Sequence, residues 1–255
     1  MDFEPSVKYF FETLGYEVKK IDECDEESPD FVVSDENSTY LVELKTKFAA
    51  DERVEERDKT LLEGKIHGIH ESIIRKNRVS GIIKKAQSQL NAHVLSDDSF
   101  RIVWLLSSGH LSEPSMHQFE ATLYGTTTVC DFSDEGKCMD CFFFYNSDFH
   151  RYKDELDAAI VSTETSAKLL LNPFSPRFEA MKHCSLSQHL GTAVVDPIQM
   201  AEDNHAYIVE GDVDRNDKNA VLQYLRDKYK AEKLMNITMG YMSGTIAIPS
   251  NENGN

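Results

Sequence analysis

The chain has 255 residues, with 44 Asp and Glu against 27 Lys and Arg and a formal net charge of −17. That length allows a substantial core, while the charge excludes nonspecific capture of nucleic acid by the surface as a whole, since such binding runs on phosphate neutralisation. No apolar run reaches the roughly 20 residues of a membrane span, the opening Met1-Asp2-Phe3-Glu4 is acidic where a leader is basic, and five cysteines in a chain this size are expected to stay reduced, which together read as a cytoplasmic protein without a membrane partner.

Residues 5–14 are expected to form a helix, because Phe3, Val7, Phe10, Phe11 and Leu14 recur at helical spacing and Gly15 stops it. Tyr16 to Ile21 alternate as a strand, and an acidic connection runs from Asp22 to Ser28. Phe31-Val32-Val33 then opens a hairpin whose turn is Ser34-Asp35-Glu36-Asn37-Ser38. Its second strand, Tyr40 to Lys47, puts Tyr40, Val42, Leu44 and Thr46 on one face and Leu41, Glu43, Lys45 and Lys47 on the other.

Residues 49–64 are mixed and acidic, helical over 55–62, and 65–79 show no clear period. Ser80 to Leu90 reads as a helix running toward Val94. Phe100 to Leu106 is a near-continuous apolar run, as a strand buried on both faces would be. A helix over 115–124 and strands over 126–132 and 142–145 follow. Beyond them, 154–161 and 167–171 read as helical, Asn172-Pro173-Phe174-Ser175-Pro176 is a break, and 177–190 reads as a helix. Tyr207-Ile208-Val209 is a strand, and 218–229 is a helix with Val221, Leu222, Leu225 and Tyr229 on one stripe. Met235 to Ile248 is expected to be a last strand or hairpin before a polar tail.

Chemistry concentrates early. Asp30 begins one hairpin strand, and Glu43 and Lys45 lie on the partner strand, so two carboxylates and an ammonium converge. Two carboxylates can share one hard divalent cation, and a neighbouring lysine can work on an attacking water, which suits phosphodiester hydrolysis. The bland alternative is a hairpin whose charges face water. Lys47, one step further on that face, is a candidate phosphate contact. Between residues 65 and 85, Lys65, Arg75, Lys76, Arg78, Lys84 and Lys85 stand against a single acid, Glu71. Such a block on an acidic body would focus a polyanion, or else it is a solvated helical face. Glu4 either binds a metal through water or favours the positive end of its helix. Cys138-x-x-Cys141 has zinc-knuckle spacing but no second pair, so these read as core or edge cysteines. The acidic alternation from Asp212 to Asp217 lacks the glycine and terminal glutamate of a calcium loop and reads as a turn and helix cap.

Taken together, Pro29-Asp30, Glu43-Leu44-Lys45 and Phe3-Glu4 ahead of Gly15-Tyr16, within an order of helix, three strands, helix and strand, resemble the PD-(D/E)XK nuclease superfamily over about residues 3–131. The resemblance implies an α/β fold, a restriction-endonuclease-like mixed sheet flanked by helices. An α+β C-terminal extension would occupy 148–255, packed on a core of 1–147, and serve substrate selection, dimer or partner contacts. It also implies a Mg²⁺-dependent endodeoxyribonuclease, with Mn²⁺ as a substitute. Asp30, Glu43 and the Leu44 backbone carbonyl would be metal ligands, with Lys45 catalytic and Glu4 assisting. Gln87 or Gln89 matches the family's helix glutamine, and Gln87 is the expected one to orient Lys45 or contact phosphate. The substrate would be DNA, with RNA open, and the chain would work as a homo-oligomer or with a partner subunit. Family habit suggests an effector of a prokaryotic restriction or phage-defence system. The alternative is a silent nuclease-fold subunit that serves as a protein-interaction module.

Overall fold

A computed structural model describes residues 2–21, 28–93, 99–133 and 136–248. The acidic connection over residues 22–27, the approach of the Ser80 helix to Val94 and the polar tail lie outside the described residues. Helix α1 (Glu4–Thr13) precedes strands β1 (Glu17–Lys20), β2 (Phe31–Ser34) and β3 (Thr39–Phe48). Next come α2 (Asp51–Leu62), β4 (His67–Ser72), α3 (Asn77–Ala92), β5 (Phe100–Ser108), α4 (Ser112–Tyr124), β6 (Thr127–Asp131), β7 (Lys137–Phe142) and α5 (Asp148–Arg151). The chain continues through β8 (Ala158–Ser162), β9 (Ala167–Leu171), α6 (Phe178–His183), α7 (Ser185–Leu190), β10 (Val194–Val195), α8 (Pro197–Glu202), β11 (Ala206–Ile208), α9 (Lys218–Tyr229), β12 (Leu234–Ile237) and β13 (Tyr241–Ile246).

The main sheet is mixed, in the order β1-β2-β3-β5-β8-β9-β10. β1, β2 and β3 form an antiparallel meander, β5 runs parallel to β3, and β8 runs parallel to β5. Helices cover both faces. On one, Leu41, Val103 and Leu105 meet Ile83, Ala86 and Leu90 of α3 and Phe119 and Leu123 of α4. On the other, Tyr40, Val42, Ile102 and Trp104 meet Val7 and Phe11 of α1, Phe178 and Met181 of α6 and Leu186 of α7. This two-sided cover is why β5 reads as an unbroken apolar run. A four-stranded sheet, β11-β7-β6-β12, and a two-stranded ribbon, β13-β4, complete the fold. No helix among the described residues is long and apolar enough to cross a membrane.

Several expectations need correction. Residues 158–162 and 167–171 are not helical but form the antiparallel hairpin β8–β9 in the main sheet. Ala158 to Val161 and Leu169 to Leu171 are buried throughout, so the period-two alternation that marks a half-buried strand is missing. The expected helix over 177–190 breaks at Cys184, where the backbone turns extended (ψ 164°), to give α6 and α7. The apolar run from Phe142 is not a strand beyond its first residue, because Phe143 takes a left-handed φ of 59°. β12 and β13 do not form a hairpin with each other: β12 pairs with β6 and β13 with β4. The latter pairing gives the patternless stretch 67–72 its structure. Both larger sheets draw strands from either side of residue 147, so a boundary placed there cuts through both. Cys130 and Cys138, direct cross-strand neighbours on β6 and β7, form a disulfide, contrary to the expectation of reduced cysteines throughout. With Cys138 so engaged and Cys141 free and buried, the pair does not form a zinc knuckle.

Gly125 locks the second sheet to α4. It ends the helix in the left-handed conformation (φ 64°), and its carbonyl accepts the Tyr145 N–H at 2.9 Å. A Cβ there would sit 2.3 Å from the Tyr145 carbonyl oxygen. Gly125→Ala is therefore expected to cost more than the about 1–2 kcal/mol of a left-handed residue alone. Urea denaturation checks this, and a loss within that range would show that the turn yields.

Candidate metal and phosphate site

The site forms where β3 outruns its antiparallel neighbour. β2 begins at Phe31, opposite Val42, so from Glu43 onward that edge of β3 lacks the β2 ladder, while β5 still pairs along the other edge to Phe48. Asp30, just ahead of β2, fills the gap: its Oδ2 accepts the Leu44 N–H at 2.7 Å. An N–H and the carbonyl of the same strand residue point to the same side, so the Leu44 carbonyl lies on this open edge as well.

Glu43 projects to the α3 side of the sheet and is only 1% exposed. Its Oε1 accepts a hydrogen bond from Lys45 Nζ. Its Oε2 is buried with no N–H or hydroxyl donor against it, and the Asp30 carboxyl is close enough to share a proton with Glu43. Burial first, and then the neighbouring Asp30, push the Glu43 carboxyl up to about 7, against the pull of Lys45. Asp30 is also raised, mainly by burial and further by Glu4, while the Leu44 N–H and Lys45 act to lower it. Two carboxyl groups that resist ionising together are what a divalent cation would satisfy. The donor set fits a hard cation: two carboxylates, one with a buried oxygen that meets no N–H or hydroxyl donor, beside a main-chain carbonyl. No cluster of three or more His, Cys, Asp or Glu suited to a metal occurs among the described residues; such a cation would therefore complete its shell with water and a substrate oxygen.

Lys45 is held in place from a second direction by Gln89 of α3, whose Oε1 accepts Nζ at 2.7 Å. The Gln89 amide in turn donates to the Ser28 carbonyl at 3.3 Å, tying α3 to the segment that carries Asp30. The glutamine at Lys45 is thus Gln89, not Gln87. Two helix residues apart is about 200° of rotation, so Gln87 falls on the opposite flank of the buried stripe formed by Val79, Ile83, Ala86 and Leu90. Glu4 sits in the first turn of α1 and pairs with Lys20 at 2.5 Å. It is close enough to raise Asp30, but its carboxylate is directed to that lysine.

The basic residues divide. Lys47 is half-buried on β3, its Nζ donating to Gln118 Oε1 at 2.8 Å. Its pKa is lowered by burial and next by Arg78, with Glu71 opposing and Lys76 acting with Arg78, so the structure brings these three cations and one acid together. Arg78 and Lys85 fall on the Gln89 flank of α3, whereas Lys84, a further 100° round, faces solvent. Arg75 is drawn away, with its guanidinium 3.2 Å from Asn77 Oδ1 and 3.9 Å from the buried Asp148. It lines a separate cavity of about 690 Å³ between α4 and the second sheet that includes none of Asp30, Glu43 and Lys45. Sequence reasoning missed Gln118, whose amide also donates to the Ser72 carbonyl at 2.5 Å. Nothing in a mid-helix glutamine signals that role before the tertiary contacts are known.

No family model, curated protein or solved structure matches this chain.

Glu43 makes stability depend on pH with a defined sign. Below about pH 4.5 the carboxyl is protonated folded or unfolded. Between there and about 7 the unfolded chain gives up the proton while the native state keeps it, so the native state loses stability as pH rises. Glu43→Gln lacks this step. Melted in EDTA, it is expected to gain on the parent from about pH 5 to about pH 7 and to level off above that. Parallel melting temperatures across that window would contradict the buried carboxyl.

Proposed function

We propose that this chain is a metal-dependent nuclease that hydrolyses phosphodiester bonds in DNA, with a site of the PD-(D/E)XK kind. The observation that carries the reading is the buried Glu43 carboxyl set against Asp30, its Oε2 without an N–H or hydroxyl donor, with Lys45 on the same strand face. The path of the chain supports it. A helix, a three-strand meander, a helix and a strand parallel to the third occur in that order, consistent with a restriction-endonuclease-like core in which α2 and β4 are an insertion.

In this reading Asp30, Glu43 and the Leu44 carbonyl hold Mg²⁺, for which Mn²⁺ can substitute. The bound ion would supply Lewis acidity at the scissile phosphate. The residues do the rest. Lys45, fixed by Gln89, donates to the attacking water or to the charge that builds on the phosphate. Lys47, Lys76 and Arg78 neutralise neighbouring phosphates. Glu43, reluctant to ionise alone, makes metal affinity rise with pH as its proton is displaced.

The test is cleavage of supercoiled plasmid and of single-stranded circular DNA, each with Mg²⁺ or Mn²⁺. Asp30→Asn and Lys45→Ala are expected to lose at least about a hundredfold in rate. Equal cleavage by all three proteins would overturn the assignment, and cleavage of RNA alone would move the substrate.

The two glutamines separate on the same assay. Gln89→Ala is expected to lower the rate by about 10- to 100-fold by releasing Lys45, with Gln87→Ala unchanged. The reverse order would contradict the geometry of α3.

A further inference from the structure

The geometry points to the β4–β13 ribbon as a binding arm for single-stranded nucleic acid, on which the Tyr241 ring, backed by His70, stacks against an unpaired base. This deepens the nuclease reading and rests on it for where the strand leads.

Charge is the first argument. In a chain with 44 acidic residues, the stretch 235–248 has none, and 65–85 has only Glu71. That one acid is paired with Arg53 of α2. The ribbon carries no Lys or Arg over 67–72 and 235–248, so it is an acid-poor arm that exits into the cations Lys76 and Arg78, and a polyanion meets less repulsion along it than on an acidic face.

Shape is the second. The register sets Tyr241 opposite Ser72 and Ser243 opposite His70, so these four share one face. On it the His70 and Tyr241 rings stack with centroids 4.8 Å apart and planes 5° apart, and His70 Nδ1 lies 2.8 Å from Ser243 Oγ. Glu71 and its ion pair to α2 occupy the other face. Tyr241 is 65% exposed, so the stack can be extended outward by one more flat ring. A paired base offers only its edge in a groove, whereas an unpaired base offers its face. The rings accordingly select single strands.

Position is the third. The Ser72 carbonyl, opposite Tyr241, accepts the Gln118 amide, and Gln118 Oε1 accepts Lys47 Nζ. The base of the arm is thus two hydrogen bonds from the cation that follows Lys45 on β3. A strand stacked on Tyr241 would therefore meet Lys47 at the base of the arm, with Lys45 and the carboxylates beyond it on β3.

The experiment is fluorescence anisotropy of labelled oligo-dT in EDTA, where nothing is cut, beside oligo-rU and a hairpin duplex of equal length. Tight binding of the single strands over the duplex is expected. Tyr241→Ala should weaken it about 5- to 150-fold, the range for loss of one stacked base, and Tyr241→Phe should retain it. The dT and rU arms show which sugar is accepted. No binding of either strand, a preference for duplex, or Tyr241→Ala equal to the parent would each overturn the proposal. So would a dimer, seen by sedimentation, that Tyr241→Ala dissolves without changing oligonucleotide affinity, since the face would then belong to a second copy of the chain. Stacking that depends on Tyr241 in a protein that cuts nothing would leave the arm standing and remove the nuclease reading. Cleavage indifferent to Tyr241 would do the opposite.

Discussion

A carboxylate forced into the interior governs this molecule. β3 is paired with β5 from Tyr40 to Phe48 and covered by helices on both faces, so whatever follows Val42 on the α3 side has to be buried. The residue there is Glu43. Burying a carboxylate is costly unless it is paired and fully hydrogen-bonded. Lys45 donates to one oxygen, and what faces the pair otherwise is not a donor N–H but a second carboxyl, Asp30. Asp30 compounds the tension, because replacing the lost β2 ladder at Leu44 brings a second carboxyl alongside. A fold that only had to be stable would place an apolar residue at 43, as it does at 41, 103 and 105. A buried carboxyl set against a second carboxyl is what supports the proposed cation.

The same economy shapes the surroundings. Lys45 could not stay beside Glu43 in a fixed pose without Gln89, and Gln89 is fixed because α3 packs its aliphatic stripe on β3 and β5. Lys47 repeats the device one step along the strand, with Gln118 of α4 as its holder. Two glutamines on two helices thus space two ammonium groups along one strand. Farther out, the start of α3 carries Lys76 and Arg78 with no acid between residues 72 and 93, on the flank where those lysines lie.

Much of this was legible in the chain. The helix stripe from Val7 to Leu14, the meander, the two-sided burial of Phe100 to Leu106, and the Asp217 cap of α9, which accepts the Asn219 and Ala220 N–H groups, all follow from period and turn chemistry. The convergence of Asp30, Glu43 and Lys45 did too, since a short hairpin leaves few ways to place them. What escaped depended on contacts distant in sequence. β8 and β9 looked helical because strands buried on both faces lose their alternation. β4 had no pattern because its partner, β13, lies about 170 residues away and the ribbon buries little of either face. The choice between Gln87 and Gln89 needed the rotation of α3 on the sheet, which only packing sets. The Cys130–Cys138 link needed the register of β6 on β7.

The most direct measurement of the central claim is anomalous scattering from a crystal grown with Mn²⁺. The account predicts one strong peak bonded to Asp30, to Glu43 Oε2 and to the Leu44 carbonyl, with Lys45 still against Gln89. Mn²⁺ bound elsewhere, or no peak while Glu43 keeps its bond to Lys45, would contradict it.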